Sequence, residues 1–143
     1  MTLKEAEKYV DIWVDTNKLL TTIECVETKG GDLNAPRNAT IVGDNGKANG
    51  IYQIHLKYIQ DVNDYYHTKY THEGAFIPNL ARVMVIAYLA RWGLNYKKNK
   101  GKDPVYETLC RIHNGGPRGH EWINTEGYWK KCQAILIQLG ARM

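Results

Sequence analysis

Apolar residues recur at helical spacing along most of the chain, broken by one long polar interval. Thr2 followed by Glu5 has the form of a capping box, and Val10, Trp13 and Val14 share the i, i+3, i+4 stripe of a helix of about three turns. Asp15 or Thr16 can cap a second helix with Leu19, Leu20, Ile23 and Val26 on its apolar face. Glu27 stands beside that face, and Gly30-Gly31 ends the helix. From Asp32 to Asn49 the pattern turns polar, with one β-like run, Ala39 to Val42, and a hairpin signal at Asp44-Asn45-Gly46. A small sheet of two or three strands is expected there, closing one wall of a cleft. The spacing of Ile51, Ile54, Tyr58 and Ile59 predicts a helix opening at Gly50, followed by a loop from His67 to Ile77.

Pro78 then starts the most apolar segment, Leu80, Val83, Met84, Ala87, Tyr88 and Leu89, expected as a core helix of about four turns. Lys97 to Asp103 reads as an exposed connection. Pro104 to His113 reads as a short helix ended by Asn114-Gly115-Gly116-Pro117, and Thr125 as the cap of a last helix through Tyr128, Trp129, Cys132, Ile135 and Leu139. The expected fold is a single α+β domain, mostly α, over residues 1–143.

Composition narrows the chemistry. With 143 residues, 43% hydrophobic and 24% charged, the chain can bury one core. It contains no serine, which excludes a serine nucleophile, and its three cysteines lack metal-ligand spacing and read as buried thiols. No metal or cofactor is expected. The net charge of +4 is uneven: residues 1–55 carry 6 basic and 8 acidic side chains, residues 56–143 carry 13 and 7. A basic second half favours an anionic partner, but no nucleic-acid module is present. No apolar run has the length of a membrane span, and the first residues lead into an amphipathic helix rather than a signal sequence.

Glu27 and Asp44 are the candidate chemical groups. A carboxyl group against an apolar wall loses hydration when it ionises, so Glu27 can keep a proton and hand it to a leaving oxygen. Asp44, in a wetter turn, would stay ionised and support a positive centre or orient water, with Asp32 as the other candidate. Two carboxyl groups in unlike environments are what cleavage of a glycosidic bond requires.

Val26-Glu27-Thr28 with Gly30-Gly31, Gly43-Asp44-Asn45-Gly46, Gly50-Ile51-Tyr52-Gln53-Ile54, Arg111 to Gly119 (RIHNGGPRG) and Thr125 to Lys131 (TEGYWKK) together resemble the lysozyme superfamily. The strongest likeness is to invertebrate-type lysozymes and related phage and bacterial muramidase domains, with goose-type lysozymes and soluble lytic transglycosylases more distant. The resemblance implies a lysozyme-like domain with Glu27 as general acid and Asp44 as second carboxylate. Tyr52, Gln53, His113, Asn114 and Tyr128 would contact substrate, and Trp122 and Trp129 would be available to stack on sugars. Three departures stand out: Thr28 replaces the family's serine, the cysteine framework of the secreted animal enzymes is absent, and 16 residues separate Glu27 from Asp44. The isopeptidase activity credited to some animal members uses a serine that this chain lacks.

The implied activity is muramidase, cutting the β-1,4 bond between N-acetylmuramic acid and N-acetylglucosamine in peptidoglycan. The alternatives are a lytic transglycosylase forming anhydro products, or an inactive wall-binding module. On this reading the protein is a monomer, made in a bacterial or host cytoplasm without a signal peptide, and reaches the wall after release or export.

Overall fold

A computed structural model describes residues 1–143. Six α-helices run in the order α1 (Leu3–Trp13), α2 (Thr16–Thr28), α3 (Leu56–Tyr66), α4 (Pro78–Lys100), α5 (Tyr106–Gly115) and α6 (Glu126–Gln138). Three two-residue strands, β1 (Val42–Gly43), β2 (Ala48–Asn49) and β3 (Ile54–His55), form an antiparallel sheet between α2 and α3. The α+β, mostly α architecture expected from the pattern is present.

The first two helices begin where their caps predict. The Thr2 hydroxyl accepts from the Glu5 amide at 3.1 Å and the Glu5 carboxylate accepts from the Thr2 amide at 3.0 Å, closing the capping box. Asp15 caps α2, accepting from the Lys18 amide at 3.1 Å. Gly30 and Gly31 take positive φ and stop the helix just beyond Glu27.

α4 lies at the centre, packed by α1, α3 and α5, and buries residues all around its circumference from Ala81 to Ala90. With 23 residues it is longer than expected, and Lys97, Lys98 and Lys100 belong to its last turn rather than to a loop. Two features carry it that far. Gly93 lets Trp13 of α1 lie against the helix, where a Cβ would stand 2.4 Å from the Trp13 ring, and the three lysines face the carbonyl end of the helix dipole. Gly101, at φ +72°, ends it.

Three further expectations change. The β-like run shortens to Val42–Gly43, because the Asn38 side chain accepts from the Thr40 amide at 3.2 Å and curls the chain just before it. Gly50 opens no helix. It sits at φ +78° in the turn between β2 and β3, with the Ala75 carbonyl 2.0 Å from where a Cβ would be, so α3 starts only at Leu56. Thr125 precedes α6 without a capping bond: its hydroxyl accepts from Arg111 Nε at 2.8 Å and lies 2.7 Å from the Gly119 carbonyl, tying α5 to the loop ahead of α6. The three cysteines are buried and unbridged, as expected.

Candidate active site

Glu27 occupies the last turn of α2, where α5 and α6 pack against that helix. Its side chain keeps 18% of its surface open. The Tyr128 hydroxyl, from the first turns of α6, donates to Oε2 at 3.0 Å. His113 Nε2 approaches the same oxygen at 3.4 Å, and the His113 side chain is 2% exposed. Both neighbours meet Oε2, while Oε1 has no hydrogen-bond partner in the protein.

The His113 tautomer follows from its contacts. Nε2 lies 3.0 Å from the Tyr52 carbonyl, which can only accept, so Nε2 carries hydrogen. Nδ1 then accepts from the Tyr58 hydroxyl at 3.0 Å. The Tyr58 ring stacks on Tyr88 at 3.7 Å between centroids, which locks the phenol in place. Burial pushes the Tyr58 and Tyr128 phenols well above their ordinary range, with the negative charge of Glu27 acting in the same direction. Both therefore remain hydrogen-bond donors at neutral pH. The wall beside Glu27 is thus made of phenols and an imidazole rather than of purely apolar groups.

A cleft of about 380 Å³ runs past His113. Asn114, Gly115, Gly116 and Pro117 form one side, and His55, Lys57, Tyr58 and Asp61 of β3 and α3 the other, with Tyr88 also lining it. The backbone at Gly116, with φ +92°, turns the chain away after α5 and leaves Asn114 exposed at the rim. Asp44 lies in the β1–β2 turn at φ 48°, more than half exposed, and its carboxylate is 2.7 Å from His55 Nε2. That hydrogen bond holds the Asp44 carboxyl below its usual range. Neither Glu27 nor Asp44 itself lines this cleft; His55, which binds Asp44, and His113, which approaches Glu27, do.

The remaining expected residues are placed differently. The Tyr52 ring is buried, its phenol pushed up to about 12 by burial, and it reaches the site through its carbonyl. Gln53, at φ 53°, turns its amide back onto the Gly50 carbonyl at 3.0 Å and does not line the cleft. Asp32 is exposed and accepts from the Asn34 amide at 2.9 Å, the role of a turn aspartate. Trp129 is half-buried against the core, and Trp122 lies 44% exposed beside Gly115.

Sequence reasoning missed three supporting groups. Glu24, one turn before Glu27 and nearly buried, is gripped by Arg37 through two bonds of 2.8 and 2.6 Å, which fastens the polar loop to α2. Tyr58 read only as an apolar position. Asp61 stood in no motif, yet it pairs with Arg91 at 2.7 Å, accepts from Trp92 Nε1 at 3.2 Å, and has its carboxyl pushed up by burial. Partners so far apart in sequence leave no local spacing to read. No group of three or more potential metal ligands is present.

No family model matches the chain. A curated relative, Lysozyme 1 of Crassostrea virginica, is 50% identical over 50 residues, which is 35% of this chain. The match spans only 25% of that relative's length. A chain in the crystal structure of Aeromonas hydrophila PliI in complex with Meretrix lusoria lysozyme superposes with a TM-score of 0.63 at 28% identity, covering 82% of this chain and 88% of that one. With a helical core, a three-stranded sheet and an acid at the end of α2, the molecule has the lysozyme-like fold. Within that class its likeness is to the invertebrate-type lysozymes.

Proposed function

We propose that the protein is a glycosidase of the muramidase type, hydrolysing the β-1,4 bond after N-acetylmuramic acid in peptidoglycan with Glu27 as general acid. The observation that carries this reading is the one-sided hydrogen bonding of Glu27. Tyr128 donates to Oε2 and His113 Nε2, its hydrogen given to the Tyr52 carbonyl, stands 3.4 Å from the same oxygen, so a proton on the acid belongs on Oε1, the oxygen without a protein partner. That oxygen is then oriented for delivery to the leaving glycosidic oxygen. Positioning of this kind lowers the entropic part of the barrier, and the fixed His113 tautomer keeps the donor set unchanged as the acid empties and refills.

Asp44, ionised beside His55, is the proposed second carboxylate, supporting the oxocarbenium-like centre or activating water. Asn114 at the rim is the proposed contact to the sugar's polar groups. The reading predicts that Glu27→Gln abolishes clearing of a wall suspension while the thermal midpoint hardly moves, since the amide oxygen still accepts from Tyr128. Near wild-type clearing would reject Glu27 as the acid. Asp44→Asn should cost on the order of 10²-fold in kcat if Asp44 supports charge in the transition state. A loss below threefold, with anhydro sugars among the products, would favour intramolecular attack by the muramyl 6-hydroxyl, the transglycosylase reaction. Sedimentation with walls but no cleavage by the wild-type chain would favour a binding module.

A further inference from the structure

Resting on the glycosidase reading, we infer that a basic pocket continuing the cleft binds carboxylate groups on the substrate glycan and so selects acidic over neutral strands. Gly46, Lys47, His55, Leu56, Lys57 and His72 line an open surface pocket of about 370 Å³. It meets the candidate active-site cleft at His55 and Lys57, which line both. Four of its six lining residues carry basic side chains and none carries an acid.

Two of the carboxylates nearby are already taken, while Glu73, which follows His72, makes no ion pair. Asp44 is paired with His55 at 2.7 Å, and Asp61, one helical turn after Lys57, is paired with Arg91 at 2.7 Å. Lys47 and Lys57 make no ion pair at all. His72 is oriented by the bond from Nε2 to the Ile54 carbonyl at 2.8 Å, which leaves Nδ1 as its open nitrogen. Two unpaired lysines at the edge of a largely apolar hollow draw anions to it, and the effect is strongest where the cations lack internal partners. Leu56, 49% exposed among them, adds an apolar spot suited to a methyl group next to an acid. A sugar strand bearing a carboxylate on a short apolar ether fits this combination, and a strand of uncharged N-acetylglucosamine has nothing to offer the lysines.

The test compares three soluble glycans: oligomers of N-acetylglucosamine, alternating wall strands stripped of stem peptides, and the same strands with stem peptides. KM and kcat are measured for the wild type and for the double variant Lys47→Gln, Lys57→Gln. The acidic-to-neutral ratio of KM should rise on the order of tenfold in the variant, with the wild-type preference erased in about 1 M salt. A rise only for the stripped strands assigns the carboxylate to the sugar's own ether, which a stem peptide converts to an amide; a rise only for peptide-bearing strands assigns it to the stem, and a rise for both means that the pocket takes either. An unchanged ratio overturns the pocket. Calorimetric binding of the same glycans to Glu27→Gln separates this from the chemistry. Salt-sensitive binding that depends on the two lysines would uphold the pocket even if no glycan were cleaved, and binding indifferent to them would refute it even if cleavage were rapid.

Discussion

At the scale of single residues, the site is a carboxyl group whose two oxygens are treated differently. Tyr128 holds Oε2, His113 stands 3.4 Å from the same oxygen, and Tyr58 holds His113 through Nδ1. Tyr58→Phe removes that last donor and leaves a buried nitrogen unsatisfied, which should cost about 1–3 kcal/mol of stability by denaturant melts. Freed of Tyr58, the imidazole can change tautomer, so kcat should fall and its pH profile should move, whereas a merely structural loss would leave the profile in place. Asp44 gives a second, signed expectation. His55 lowers its folded-state carboxyl below the unfolded value, so the pair contributes stability that is present above the ordinary carboxylate range and lost as pH falls through the lowered value. Asp44→Asn should therefore flatten the acid limb of the stability curve slightly, the pair being exposed; an unchanged limb would mean that the bond is not formed in solution. Glu27, His113 and Tyr128, which the structure brings together, each stand in a motif with local spacing. Tyr58 and the Glu24–Arg37 pair were not legible in the sequence, because their partners lie 55 and 13 residues away.

At the scale of elements, glycines mark where helices and turns meet their neighbours. Gly93→Ala improves helix propensity yet drives a Cβ into Trp13, so it should destabilise by about 1–3 kcal/mol. Gly50→Ala combines positive φ with a Cβ 2.0 Å from the Ala75 carbonyl and should be worse, loosening the β2–β3 turn that precedes His55. Gly127 in α6 has nothing within 4 Å of its would-be Cβ, and Gly127→Ala should stabilise by about 0.5–1 kcal/mol. Thermal melts should place Gly127→Ala highest, Gly93→Ala below it and Gly50→Ala lowest, and a stabilised Gly93→Ala would refute the packing of α1 on α4. The starts of α1 and α2 could be read because a cap is a local pattern. The extra length of α4 and the late start of α3 could not, because Trp13 and Ala75 decide them from elsewhere in the chain.

For the whole molecule, the fold places the end of α2 against α5 and α6, and sets β3 and α3 across a cleft from the end of α5, beside a pocket lined by two unpaired lysines. The surplus of basic residues after residue 55 agrees with an acidic polymer as the partner. No helix is long and apolar enough to cross a membrane. Mostly helical order with a small sheet beside a cleft was visible in the pattern of apolar positions, but the residues lining the cleft were not, since it is built from β3, α3, α4 and the end of α5 at once. The central claim is that Glu27 gives a proton to the leaving oxygen while water takes the glycan. Mass spectrometry of the fragments released from purified wall tests it most directly. The account predicts reducing ends from the wild type and no fragments from Glu27→Gln. Fragments one water lighter, or normal fragments from Glu27→Gln, would contradict it.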